Sequence, residues 1–595
     1  MTHGSQAGRK WPADRRLLRM LVGALTVACS LALQSGPVAQ RAAEGTTVNW
    51  SLHNLDLAGS RFSALSQINS SNVKSLVPRW LFQYGVIDGV SNQTTPIVVD
   101  GTMYITDPRG SVYAVDAADG HLKWTFDVTK LIGAGGCVTG GVGCYIFRNR
   151  GAIYADGIVY TAAGSYLFAI DARTGTPVRS FGKDGQASVI LDVLKKRYPD
   201  VTAAISMGYW FTTAPQVHSG VIYIGSTRSE SHIPGGHVLA VDAETGKVIW
   251  AFNTIPQDEK DQGWEIAGPT WVGGERNGGG IWETPSIDPE LGLLYVAVAN
   301  PFGDSTKRIG TNLFTDSIVA LTLKTGQLKW HFQQTHHDVW DFDSANQPIL
   351  FDMEVRGRRV KALAEASKNG FLYILNRETG QPVHSIKEIP VPTASQIPGE
   401  QMWPTQPIPY SASGKPMNVV PVFPTDIPQD PVSSRSPVPM FTPPGPNQIR
   451  APGGEGGANY GPISYSPQTG FLYVNGIDNP VGSGRPPKGY FSAFDPTTGE
   501  LVWQRSFEGR GQAGSVVTAG NVVFVGTGSN VAGYFFAYDA KTGDLLWKFN
   551  TGSGVYSSPS VYAVNGEQFV TVASGGGERG RRGGDLILSF ALPKQ

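Results

Sequence analysis

Carboxylates, amides and cations gather in four short stretches of this chain. Gly225-Ser226-Thr227-Arg228-Ser229-Glu230 sets a carboxylate just beyond the apolar run Val221 to Ile224. Ile281-Trp282-Glu283 precedes a strand start, and the strand Leu294 to Val298 runs out into Ala299-Asn300-Pro301. His336-His337-Asp338-Val339-Trp340-Asp341-Phe342-Asp343 packs three acids and two histidines into eight residues. Ser367-Lys368-Asn369-Gly370 leads into the strand Phe371 to Leu375. Carboxylate and amide oxygens that converge suit a hard cation, Ca2+ or larger. A Lys or Arg beside them suits an anionic ligand, and Trp282 offers an aromatic plane. Two adjacent histidines next to Asp338 suggest zinc, but neighbours on a strand face opposite sides and do not share one ion. Taken singly, Glu230 reads as a solvated turn residue and Trp282 as core, so their meaning depends on what brings them together.

A repeat would bring them together. Ala114-Val115-Asp116 is followed by Gly120 and Trp124, and Ala240-Val241-Asp242 by Thr245-Gly246 and Trp250. Ala493-Phe494-Asp495 leads to Thr498-Gly499 and Trp503, and Ala537-Tyr538-Asp539 to Thr542-Gly543 and Trp547. A fifth copy runs from Ala320 to Trp330 with Thr322 in the Asp place. Weaker copies end at Arg179, after Asp171 and Thr174-Gly175, and at His384, after Thr379-Gly380. Each reads as a β-hairpin: Gly supplies a positive φ, and Asp or Thr satisfies the backbone donors of the turn. One hairpin cannot bury its own apolar face, so units tens of residues apart predict a propeller or solenoid. Functional groups are then expected where the repeat is broken, at one end of each blade and around the axis. Residues 391–457 break the pattern differently, with Pro390-Val391-Pro392, Trp403-Pro404-Thr405-Gln406-Pro407 and a Pro-rich run through Pro446. The apolar Met402, Trp403 and Val419 to Phe423 predict an ordered excursion packed on one face.

Composition agrees with many short strands and tight turns. Gly 74 and Pro 41 are high, while the aromatic residues at 10% and the dense Val, Ile and Tyr argue against disorder. Residues 1–40 read as an export signal: Arg9, Lys10, Arg15, Arg16 and Arg19 precede the apolar run Met20 to Leu33. That run suits a signal peptide and is short of the ~20 residues of a membrane span. Arg15-Arg16-Leu17-Leu18 is a partial twin-arginine pattern with no Ser before it, and Cys29 is a weak match to a lipidation site because Thr26 stands where Leu is usual. The remainder, from about residue 45 to 595, is expected as one propeller; without residues 1–40 the chain has 43 basic and 47 acidic residues, which gives no reason to invoke nucleic acid. Cys137 and Cys144, in a Gly-rich loop of an exported protein, are expected to form a small disulfide loop. No Cys-x-x-Cys-His haem attachment motif occurs.

From about residue 49 onward the chain resembles the pyrroloquinoline quinone (PQQ) dependent dehydrogenases. Trp50, Phe62-Ser63, Asn69, Asn72-Val73 and Leu76 resemble their N-terminal signature, with Asn54 where Gly is usual. The Asp/Thr-Gly/Trp repeat is similar to their tryptophan-docking motif. The resemblance implies an all-β, eight-bladed β-propeller with the quinone over the central channel. It implies that Asp341 is the base that takes the substrate hydroxyl proton, and that Glu230 and Asn300 ligate the cation. Trp282 would stack beneath the quinone, Lys368 would bond the reactive quinone oxygens, and Arg150 would contact a PQQ carboxylate. Thr212 and Asn459 match further polar contacts to the cofactor.

The departures bear on substrate and metal. Cys144 matches the first of two adjacent cysteines common in the family, but Tyr145 takes the second place. Gln93 stands where methanol-oxidising members have Glu, and a Trp usual near the last blades is replaced around Gln512. Asp343 resembles the extra carboxylate of members that use a lanthanide ion, yet the same Asp-x-Asp occurs in the glucose dehydrogenase branch. His336 to Asp341, Pro398-Gly399-Glu400 and Pro404-Thr405-Gln406-Pro407 also look closer to that branch, which favours Ca2+. The expectation is a periplasmic PQQ- and metal-dependent dehydrogenase of an alcohol, polyol or sugar, passing electrons to a separate cytochrome or quinone. The rival of another class is a non-catalytic propeller that serves as a binding or assembly scaffold.

Overall fold

The repeats fold as the outer hairpins of sheets in the computed structural model, which describes residues 46–86, 91–132, 148–226, 233–422, 435–528, 533–576 and 583–594. Eight sheets of three to five strands form the blades of a propeller. Seven follow the chain, over 97–126, 152–187, 216–253, 286–333, 349–376, 464–508 and 515–550. The eighth joins the C-terminal strands of 560–591 to Val77–Gln83 from the other end of the chain, which closes the ring. Burial falls across each blade: Ile97–Val99 is wholly buried, whereas Leu122–Phe126 is largely exposed.

The Asp of each repeat shapes its turn. Asp242 accepts the Thr245 amide and hydroxyl, both at 2.7 Å, while the Gly246 amide reaches the Asp242 carbonyl at 2.8 Å. The Ala two residues before the Asp pairs with the Trp on the outer strand, and in five blades the register shifts immediately after that pair. Such a bulge re-aims a side chain, and here it turns the indole toward the next blade.

Five indoles find the same kind of acceptor, the carbonyl of the residue that follows the turn Asp, Asn or Thr of the next blade. Trp80 donates to Ala117 at 3.1 Å, Trp124 to Ala172 at 3.1 Å, Trp250 to Leu323 at 2.9 Å, Trp330 to Arg377 at 3.1 Å and Trp503 to Ala540 at 3.2 Å. A tyrosine hydroxyl from the same blade as the Trp reaches the same carbonyl each time: Tyr562, Tyr104, Tyr223, Tyr295 and Tyr473. The repeats without Trp keep the contact by other means. His384 Nε2 donates to Pro496 at 2.8 Å, and the Tyr160 hydroxyl donates to Ala243 at 2.9 Å.

The N-terminal signature is a buried brace. Arg61 lies over the Trp50 ring at 5.2 Å and donates to Asn54 Oδ1 and the Ser515 carbonyl, both at 2.6 Å. Asn54 therefore accepts from an arginine that spans the chain ends. The excursion is ordered where described. Thr405–Pro409 pairs with Ile386–Pro390, and Val419, Val420, Val422, Met440 and Phe441 pack with Trp340 and Phe342. Trp403 stays partly exposed, edge-on to His336.

The seam between blades can be tested at Gly543, whose φ is +70° and where a Cβ would lie 2.5 Å from the Trp503 ring. We expect Trp503→Ala to cost about 3–5 kcal/mol by chemical denaturation, as for other large buried aromatics. Gly543→Ala should also lower the midpoint, because it adds both a clash and left-handed strain. Trp503→Phe, which keeps a ring but loses the N–H, should fall between wild type and Trp503→Ala.

Candidate active site

Five ends of blade strands and the loops beyond them meet on one face. Lys368 follows the strand Arg358–Ala366, and its ammonium bridges two carboxylates, Asp341 Oδ1 at 2.9 Å and Asp343 Oδ2. The Lys368 amide donates to the Asp343 carbonyl at 3.1 Å, and Asn369 anchors the loop to Gln334 and Tyr373. Asp343 is fully buried and accepts the Asn300 amide at 3.0 Å. Burial alone would raise its carboxyl, but the Lys368 ammonium holds it below the usual carboxylate range. Asp341 differs: its side chain is 37% exposed, against 4% for Lys368. One carboxylate of the pair is thus a sealed counter-ion and the other is reachable from outside.

Asp341 adopts φ +69°, a left-handed conformation that Asp tolerates better than most residues. Asp338 braces it on both sides by accepting the Trp340 amide at 2.7 Å and the Phe342 amide at 2.6 Å. Trp340, Phe342 and Phe441 pack together behind this turn, and the Trp340 indole donates to the Thr442 carbonyl at 2.8 Å. His336 and His337 lie in an irregular segment rather than on the expected strand, and they diverge all the same. His336 reaches Gln333 and Glu388, whereas buried His337 donates to the Gly310 carbonyl.

Trp282 forms the floor of the site. Lys368 Nζ lies 5.4 Å from its ring centre and the Arg150 guanidinium 5.1 Å, with Tyr460 on Arg150 at 4.9 Å. Arg150 Nε pairs with Glu283 Oε1 at 2.9 Å, and Arg150 donates to the carbonyls of Trp282 (2.7 Å) and Thr212 (3.4 Å). Burial pushes the Glu283 carboxyl up to about 8 despite Arg150. Asn459 accepts the Tyr460 amide at 2.9 Å, and its carbonyl takes the Asn346 side chain at 2.8 Å.

The structure brings together Arg150, Thr212, Trp282, Asn300, Asp341, Asp343, Lys368 and Asn459. Glu230, Cys137, Cys144 and Tyr145 lie outside the described residues, so the ligand role expected of Glu230 and the expected Cys137–Cys144 disulfide do as well. Among the described residues no trio of His, Cys, Asp and Glu side chains forms a metal cluster. The donor set nevertheless fits a planar anionic cofactor with a cation. Two cations lie against the Trp282 indole, and the buried Asn300 Oδ1, Thr212 Oγ1 and Trp282 Nε1 have no hydrogen-bond partner among the described residues.

Sequence reasoning left four members of this constellation without a role. Glu283 sits beside Trp282 in the motif and is the partner of Arg150. Asp338, in the acidic motif, is a brace and not a ligand. Glu365, three residues before Lys368, accepts Gln334 and Asn346 and is pushed up to about 8 by burial. Asp316 is wholly buried with its amide on the Ala299 carbonyl, and burial, then Asp338 and Asp343, push its carboxyl well above the usual range. A lone acid amid the apolar end of a strand was the available signal for Glu365; Asp316, between Thr315 and Ser317 just before a strand, left none.

Comparison with known proteins follows this geometry. The family model described as glucose/ethanol/alcohol dehydrogenase, beta-propeller domain, matches residues 50–484, which contain every residue of the site. A model described as outer membrane protein assembly factor BamB matches 487–581, beyond the site. The quinohemoprotein alcohol dehydrogenase of Comamonas testosteroni is 32% identical over 95% of this chain and 80% of its own length. Its crystal structure aligns with a TM-score of 0.72 at 28% identity, over 96% of this chain and 85% of that one. A europium-containing methanol dehydrogenase aligns with a TM-score of 0.70 at 25% identity, over 92% and 98%. The docked indoles, the acid–lysine bridge over Trp282 and the match across 50–484 place one conclusion beyond the fold: this chain belongs to the PQQ-dependent glucose/ethanol/alcohol dehydrogenase family.

Proposed function

We propose that the protein is a periplasmic PQQ- and metal-dependent dehydrogenase that oxidises the hydroxyl of an alcohol, polyol or sugar. The observation that carries this reading is the Lys368 ammonium between Asp341 and Asp343 above the Trp282 ring. When bound, PQQ supplies the hydride acceptor and a cation supplies the Lewis acid that polarises it. Glu230, Asn300, Asp341 and Asp343 would hold the cation through oxygen, with Ca2+ the reading favoured here and a lanthanide ion the alternative. Trp282, Arg150, Thr212 and Asn459 would hold the cofactor.

Asp341 takes the substrate hydroxyl proton on a carboxylate oxygen, for which its partial exposure suits it. Lys368, fixed by Asp343, offers N–H donors where negative charge develops as the hydride leaves the substrate carbon. Trp340 and Phe342 hold the base in place through their amides on Asp338 and keep water from one side of it. A non-catalytic scaffold would gain nothing from burying two cations and two acids around one indole, because buried pairs of this kind give little net stability.

Electrons would leave to a separate cytochrome or quinone. The basic head and apolar run of residues 1–40 support export to the periplasm, and no described helix is long and apolar enough to cross a membrane.

Dye-linked oxidation of methanol, ethanol, glycerol, sorbitol and glucose, after reconstitution with PQQ and either Ca2+ or La3+, tests the reading. Turnover with Ca2+ is expected, and turnover with La3+ alone would reassign the role of Asp343. Asp341→Asn should still quench tryptophan fluorescence on binding PQQ but lose about 10²–10⁴-fold in rate, the usual contribution of a general base. Undiminished turnover in that variant would remove Asp341 from the proton transfer.

A further inference from the structure

The pair Arg150–Glu283 is the one buried ion pair of the site that the proposed chemistry does not use. Both side chains are 3% exposed. Arg150 is pinned in place by its donations to the Trp282 and Thr212 carbonyls and by the adjoining Trp282 and Tyr460 rings packed against it. With Nη1 on those carbonyls and Nε on Glu283, an incoming carboxylate meets the guanidinium beside the Glu283 carboxylate. Two carboxylates on one guanidinium leave a buried excess negative charge, and the response of lowest cost is to put a proton on one of them.

We infer that Glu283 is the counter-ion that Arg150 exchanges for a carboxylate of the quinone, so that the loaded protein keeps Glu283 protonated and, wherever Glu283 was ionised beforehand, loading draws that proton from solvent. This rests on the cofactor reading given above. Burial already holds the Glu283 carboxyl at about 8 in the protein as described, with Arg150 opposing the rise and the Thr284 amide adding to that opposition. An anion on Arg150 weakens the opposition and raises the proton affinity of Glu283 further. The sign follows: the loaded protein binds the proton more tightly, so loading is independent of pH below about 8 and weakens as pH rises above it.

Few other groups bear on Glu283. Arg150 is the only charged side chain acting on it among the described residues. His53, behind Arg150, is held neutral by burial and then by Arg61 and Arg150. Lys368 Nζ lies 5.4 Å from the Trp282 ring centre, and the Tyr460 ring centre lies 4.9 Å from the Arg150 guanidinium, beside Trp282.

The test is titration of the apoprotein with PQQ in the presence of Ca2+, followed by tryptophan quenching from about pH 6.5 to 9.5, for wild type and Glu283→Gln. Gln keeps the shape and donor of the protonated acid without its titration. For wild type we expect a flat Kd at low pH that then rises toward about tenfold per pH unit above the Glu283 pKa. For Glu283→Gln we expect no such rise, and the difference between the two cancels the titration of Lys368, Asp341 and the cofactor itself. In weak buffer near pH 8.5, loading should also take up a proton in wild type and not in the variant. Parallel pH profiles, or equal proton uptake, overturn the inference while leaving the cofactor reading intact. Absence of PQQ binding at every pH overturns the cofactor reading and this inference with it. Should Glu283→Gln not fold, a flat wild-type profile with no proton uptake is itself the overturning result.

Discussion

One backbone carbonyl per blade carries the architecture. It belongs to the residue after the turn Asp, Asn or Thr, and in five seams it accepts an indole N–H and a tyrosine hydroxyl from the preceding blade at once. A buried carbonyl has two lone pairs, and leaving either empty costs stability. Filling both from the neighbouring blade fixes the angle between blades as well as their spacing, because the two donors arrive from different strands. Where the indole is missing, His384 or Tyr160 serves the same kind of carbonyl, so the acceptor is the constant and the donor varies. The inner strand ends, and with them the loops that carry Asn300, Asp343 and Lys368, inherit their positions from these seams.

Given that frame, the site is governed by charge held away from water. Lys368 with its two acids, and Arg150 with Glu283, are pairs whose desolvation would outweigh their attraction without further hydrogen bonds. Those bonds are present: the Asn300 amide on Asp343 and the carbonyls of Trp282 and Thr212 on Arg150. What remains unmet is oxygen capacity at Asn300 and Thr212. Buried acceptors with nothing to accept are costly, and they have a use only if a cation and a polar cofactor meet them.

The repeat made the fold legible, because Asp, Gly and Trp at fixed offsets each have one physical task in a hairpin. It also explains why Asp341, Lys368, Trp282 and Asn300 stood out, as polar or oversized residues at strand ends where the pattern lapses. The seam carbonyls were not legible: a main-chain acceptor leaves no mark on residue type, so the equivalence of His384 to an indole could not be read. Nor could the pairing of Arg150 with Glu283, which lie 133 positions apart in separate blades. The strand expected through His336 and His337 is an irregular turn because Asp338 competes with sheet pairing for the Trp340 and Phe342 amides. Short acidic side chains do this readily, and a count of acids does not reveal which will.

The spacing Asp338, Asp341, Asp343 therefore holds three acids in three states. Asp338 spends both oxygens on backbone amides, and burial pushes it up to about 6 although those amides pull it down. Asp343 spends its charge on Lys368 and is sealed from water. Asp341 shares the same ammonium from the wet side. Because the sealed acid already balances the lysine, the exposed one can gain a proton without leaving a bare buried cation behind. That division of labour, set by a left-handed turn at one residue, is what would let Asp341 serve as the proposed base rather than remain a permanent ion pair.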